Sequence, residues 1–142
     1  MLCPKRIPVK LRLDGRIPGG HCAREYETVR RFCALWNAFR HKDVFGAAGS
    51  TSGGVDIRPF PLNWQMNKQL GEFAANKKRW DEHTVINQID KIENGDLAII
   101  IDCGESDFFL EVNKELHKRL LGRGIDHDFI TRPGVHNNVY WS

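Results

Sequence analysis

No stretch of this 142-residue chain stays apolar for the roughly 20 residues that cross a bilayer, so no membrane partner is expected. The opening Met1-Leu2-Cys3-Pro4-Lys5-Arg6 has no apolar h-region, which argues against a secretory signal in the chain as written. A cytoplasmic location is then the default reading, and a secreted or periplasmic one if the gene starts elsewhere. The four cysteines, Cys3, Cys22, Cys33 and Cys103, form no CxxC pair and no zinc-ligand spacing. Buried or idle thiols are favoured over a metal site, and no metal is expected. Ser50-Thr51-Ser52-Gly53-Gly54 follows a short apolar run but lacks a lysine at P-loop spacing, which makes a phosphate cradle a weak reading. Internal repeats and low-complexity tracts are lacking as well.

What remains is ordinary in amount, with 41% hydrophobic and 27% charged residues, as expected of one globular domain or part of a larger one. The charge is unevenly laid out. Residues 1–42 carry 10 Lys and Arg against 3 Asp and Glu, and the remainder carries 11 against 15. Such a break marks a boundary or two stretches of different origin. The basic side of the first helix has nonspecific phosphate affinity but no nucleic-acid fold motif, so a solvated amphipathic helix is the stronger reading and no nucleic-acid partner is expected.

Taken in order, Val9, Leu11 and Leu13 alternate with basic residues as in a short strand, and the proline and glycines at 18–20 break the chain. Val29, Phe32, Cys33, Trp36 and Phe39 then predict a helix over 23–39. Val44 to Gly49 reads as a buried strand, and Arg58-Pro59-Phe60-Pro61 as irregular chain. A polar helix is expected over 66–80, and a second helix is expected behind Thr84 as N-cap. Asn94-Gly95-Asp96 ends that second helix. Leu97 to Ile101 is a continuous apolar run, the pattern of a strand buried on both faces. Phe108, Val112, Leu116 and Leu120 stripe a helix over 108–121, with Gly122 at its C′ position, and Asp128 to Arg132 gives a last strand. Strands alternating with helices predict an α/β fold, a parallel sheet flanked by helices.

This order sets an acid-bearing loop, Asp102-Cys103-Gly104-Glu105-Ser106-Asp107, and the turn Pro133-Gly134-Val135-His136-Asn137 beyond the carboxyl ends of consecutive strands, where open α/β sheets keep their chemistry. Glu105, His117 and His127 read as surface residues, and His41 as a helix-end cation.

From about Ala38 the chain resembles the esterase D-like branch of the α/β-hydrolase fold, which includes S-formylglutathione hydrolases, feruloyl and acetylxylan esterases and mycolyltransferase antigens. The resemblance is carried by the segments 39–50, Ser52-Gly53-Gly54-Val55-Asp56-Ile57, Ile101 to Phe108 and Pro133 to Asn137. It implies a truncated α/β-hydrolase fold in which residues 38–142 are the C-terminal part of an esterase domain. Residues 1–37 then form an unmatched basic segment from a shifted reading frame or an unrelated start. It implies a carboxylic ester hydrolase with Asp107, rather than Asp102, as triad acid and His136 as general base. A small-molecule or carbohydrate ester is the implied substrate, with no cofactor. The family's serine belongs on a Gly-x-Ser-x-Gly elbow. That elbow should fall near position 28, where Tyr26-Glu27-Thr28-Val29-Arg30 stands, and the motif occurs nowhere in the chain. Ser50 and Ser52 lie in the wrong loop for it. The chain alone is therefore expected to be inactive, and the alternative is a non-catalytic module that self-associates through exposed sheet edges.

Overall fold

The chain is organised on β2 (Ala98–Gly104), which pairs in parallel with β1 (Ala47–Thr51) on one side and β3 (Asp128–Arg132) on the other. The computed structural model describes residues 27–141, with only the backbone described for 27–33 and for Trp141. The expected strand near Val9, the break at 18–20, most of the 1–37 segment and the start of the first helix lie outside the described residues. Around the sheet run α1 (Glu27–Arg40), α2 (Met66–Leu70), α3 (Lys77–Glu82), α4 (Leu110–Gly122) and α5 (Asn138–Trp141). Two 3-10 segments, Asn63–Gln65 and Val85–Lys91, complete the order. The alternation of helix and strand and the parallel sheet are those expected from the apolar pattern.

One face of the sheet makes the core. Ile99, Ile101 and Cys103 of β2 and Ala48 of β1 turn inward and are buried with Leu35, Ala38 and Phe39 of α1, and with Leu116 and Leu120 of α4. Val85, Ile86 and Ile89 from the second 3-10 segment, with Ile92 just after it, close the same cluster. Each fully buried aliphatic side chain of this kind contributes about 1.5–3 kcal/mol.

The opposite face corrects the expectation of a strand buried on both sides. Ala47, Gly49, Ala98, Ile100 and Ile130 share it by register and are exposed, Ile100 at 47% and Ile130 at 43%. A continuous apolar run cannot reveal which of its alternate residues finds a covering element. Here all the packed helices of the core cluster lie on one side.

Other differences are local. β1 begins at Ala47 rather than Val44, which is exposed, and it takes in Ser50 and Thr51, which had read as loop. The helix expected over 66–80 is broken where Gly71 takes φ +80, leaving α2 and α3 as separate short helices. Thr84 does precede a helical segment, but that segment is 3-10, and its hydroxyl donates to the Trp80 carbonyl (2.8 Å) rather than capping it. In α4 the inner stripe starts at Phe109, fully buried, while Phe108 is 50% exposed. The left-handed residue after α4 is Gly124, φ +65, rather than Gly122.

One-sided burial has a measurable outcome. Ile101→Ala should cost about 2–5 kcal/mol in denaturant unfolding, and Ile100→Ala, one residue away on the bare face, less than about 1 kcal/mol. Equal costs at the two positions would contradict this architecture.

Candidate active site

Parallel pairing brings the loops after β2 and β3 to the same edge of the sheet, and backbone bonds then tie them together. Glu105 N–H donates to the Arg132 carbonyl (2.9 Å), and Ser106 N–H donates to the Gly134 carbonyl (2.9 Å). The approach is close enough that a Cβ on Gly104 would stand 2.6 Å from the Gly134 carbonyl oxygen, so only glycine fits there.

This junction sets Asp107 beside His136. The Asp107 side chain is fully buried and its Oδ2 lies 2.9 Å from His136 Nδ1. The other oxygen, Oδ1, accepts the Phe109 N–H (2.8 Å). The carboxylate therefore fastens the backbone entering α4 with one oxygen and receives the imidazole with the other. Because a carboxylate only accepts, Nδ1 carries the proton and Nε2 is the basic nitrogen of the neutral ring. The His136 side chain is 13% exposed and packs on aromatic rings, 4.5 Å from the Phe108 centroid and 5.4 Å from that of Phe109.

Those rings continue into the segment between β1 and β2. Phe60 and Trp64 pack on both Phe108 and Phe109, with Trp64 stacked on Phe108 at 6.0 Å. Trp64 and Gln65 hold left-handed φ values of 50° and 54°, a conformation that costs a side-chain-bearing residue on the order of 1–3 kcal/mol. Sequence reasoning missed this aromatic wall. Its one local signal was Pro59-Phe60-Pro61 followed by Trp64, apolar residues with no helical or strand period.

Asp102 stands apart. Arg132 pairs with it (2.5 Å), the Tyr140 hydroxyl donates to its Oδ1, and the Arg132 guanidinium lies 4.5 Å over the Tyr140 ring. Asp102 thus fastens α5 to the sheet through Tyr140 and ties β2 to β3 through Arg132. Burial, followed by the bond to Asp102, pushes the Tyr140 phenol up to about 12. Ser50 and Ser52 are both buried, with Ser50 inside β1 and Ser52 just after it. The backbone at Thr28 is helical, within the first turn of α1. Glu105 is exposed, as expected, but His117 and His127 are not simple surface residues, since they hydrogen-bond to each other. Among the described residues no group of three or more metal-ligating side chains occurs.

The family model described as "Putative esterase" matches residues 32–142. The chain belongs to this esterase family. Solved structures agree on the fold, which is that of the α/β-hydrolases. S-formylglutathione hydrolase from Staphylococcus aureus superposes with a TM-score of 0.67 at 20% identity, covering 80% of this chain and 47% of that one. A fluorophosphonate-binding serine hydrolase of the same organism gives 0.66 at 20% identity, with the same coverage. A ferulic acid esterase gives 0.60 at 23% identity, covering 75% of this chain and 41% of that one. The chain thus spans less than half the length of these structures. No curated protein sequence matches it.

Cys103 lies between the two carboxylates and is chemically quiet. Burial, with the Asp107 charge adding to it, pushes its thiol up to about 12. At pH 8 about one thiol in ten thousand is then ionised. Iodoacetamide should leave Cys103 unmodified in the native protein and alkylate it in denaturant, as read by peptide mass mapping; rapid native labelling of that peptide would contradict the burial.

Proposed function

We propose that this chain carries the acid and base of a serine esterase, with Asp107 orienting His136 and His136 moving the proton. The observation that carries the reading is the 2.9 Å contact between a fully buried carboxylate and an imidazole at the carboxyl edge of a parallel sheet. In the reaction a serine hydroxyl attacks an ester carbonyl while His136 Nε2 takes its proton. The imidazolium, held by Asp107, returns that proton to the departing alcohol, and water then releases the acyl group by the same route. Phe108 and Phe109 border the imidazole and Phe60 and Trp64 pack on those two rings, so the segment after β1 reaches the site through them and helps shape the acyl or alcohol group accepted. Small-molecule or carbohydrate esters are the substrate class, and the chemistry calls for no cofactor.

The serine is the part this sequence does not supply at an elbow. For the chain alone we expect no p-nitrophenyl acetate hydrolysis above that of a His136→Ala variant; turnover abolished by that substitution would overturn the expectation. The roles of the pair are tested in a chimera that joins the elbow-bearing half of the S. aureus S-formylglutathione hydrolase to residues 42–142. In a folded, active chimera, His136→Ala should lower kcat by about 10³-fold or more, and Asp107→Asn by a comparable factor. A chimera indifferent to both changes would refute the assignment.

The bare sheet face favours a second reading, self-association. Apolar Ala98, Ile100 and Ile130 lie together on a surface no described element covers, beside β1, an edge strand of the sheet among the described residues. Light scattering after size exclusion should show a species larger than 16.3 kDa that shrinks in an Ile100→Lys/Ile130→Lys double variant. A monomer at all concentrations would rule this reading out.

A further inference from the structure

Tyr140 is buried where the acid loop and the histidine turn cross, although α5 carries neither Asp107 nor His136. Its ring lies against Gly134, where an added Cβ would stand 2.3 Å from Tyr140 Cδ2 and 3.1 Å from Cε2. A Cβ on Gly104 would stand 3.4 Å from the same Cε2, so the ring also borders the end of β2. Gly134 precedes His136 by two residues, and Gly104 precedes Asp107 by three.

The turn is held on the other side of His136 as well. Asn137 Oδ1 accepts the Tyr140 N–H (3.0 Å), the bond of an N-cap at the start of α5, and the Asn137 carbonyl accepts the same N–H at 3.2 Å. Asn137 N–H in turn donates to the Val135 carbonyl (2.8 Å), which closes the backbone around His136. The far end of the ring is tied down too. Its hydroxyl donates to Asp102 Oδ1 in β2, and the other oxygen of that carboxylate pairs with Arg132 at the end of β3.

We propose that Tyr140 is a positioning residue for the proton relay, a strut between β2 and the turn 134–137 that keeps His136 seated on Asp107. The inference rests on the serine-esterase reading above, in which His136 carries the proton. The imidazole meets Asp107 through Nδ1 (2.9 Å), and a hydrogen bond weakens steeply as its angle falls. A turn free to rock would lose that bond and, with it, the aim of Nε2. A displacement of about 1 Å at reacting groups can cost on the order of 10²-fold in rate. Burial, and next the bond to Asp102, keep the Tyr140 phenol protonated well above neutral pH, so the strut retains its donor wherever a neutral imidazole works as base.

The ring and the hydroxyl can be separated by substitution. Tyr140→Phe leaves a ring against both glycines and removes the bond to Asp102, whereas Tyr140→Leu removes the flat ring as well. In the chain with nitrogen-15-labelled histidine, the His136 Nδ1–H should give a low-field proton signal protected from exchange with water. Tyr140→Phe should speed that exchange about tenfold and Tyr140→Leu should abolish the signal, with the amide protection of buried Ile101 and Leu116 unchanged. In an active chimera of the kind described above, Tyr140→Phe should lower kcat about tenfold and leave KM within about twofold. An unchanged His136 signal and unchanged kcat in both variants would overturn the proposal. Parallel loss of protection at Ile101 and Leu116 would also overturn it, by reducing Tyr140 to a residue of general stability. A nitrogen-15 shift that puts the His136 proton on Nε2 in the unmodified chain would instead refute the Asp107–His136 pair, and the proposal would fall with it.

Discussion

Everything at the carboxyl edge of the sheet depends on the parallel pairing of β2 with its two neighbours. Parallel strands end at the same edge, so loops far apart in sequence emerge side by side, and the pairing of Gly104 with Arg132 delivers the acid loop to the histidine turn. The driving force is burial of a single face. Ile99, Ile101 and Cys103 enter a core closed by α1, α4 and the 3-10 segment over 85–91. The polar edge follows from that burial and would have no fixed geometry without it.

The loops themselves are held by main-chain bonds and by the absence of side chains where they cross. Gly104 lets the Gly134 carbonyl approach, and the Glu105 and Ser106 amides close the gap. Beside them, Asp102, Arg132 and Tyr140 form a clamp between the strand ends and α5. Two aspartates five residues apart, Asp102 inside β2 and Asp107 in the loop after it, therefore do different work. One secures the scaffold at the sheet's end, and the other is buried against an imidazole.

Much of this was legible in the residues. The three strands, the long helix after the acid loop and the adjacency of Asp107 and His136 follow from apolar runs, glycine turns and the rule that parallel sheets collect their loops at one edge. The resemblance to esterases chose Asp107 over Asp102, which spacing alone left open. Long-range contacts were not legible. Nothing local tells that Ile100 faces outward while Ile101 is buried, because both belong to one apolar run. The Phe60–Trp64–Phe108 wall draws on residues more than 40 positions apart and on left-handed backbone at Trp64 and Gln65, neither of which has a periodic signature. His117 and His127 looked like solvated residues for the same reason: the bond between them exists only once a helix and a turn have been packed together.

The two oxygens of Asp107 have a consequence for how such a chain can change over time. One accepts the Phe109 amide at the entry to α4 and the other meets His136. In the proposed esterase, selection for a folded chain and selection for a proton relay would therefore act on the same atom group. A lineage that has abandoned the reaction still benefits from keeping this aspartate, whereas the imidazole is free to drift. Between these two positions, it is persistence of the histidine rather than of the acid that would mark a descendant still under pressure to turn over substrate.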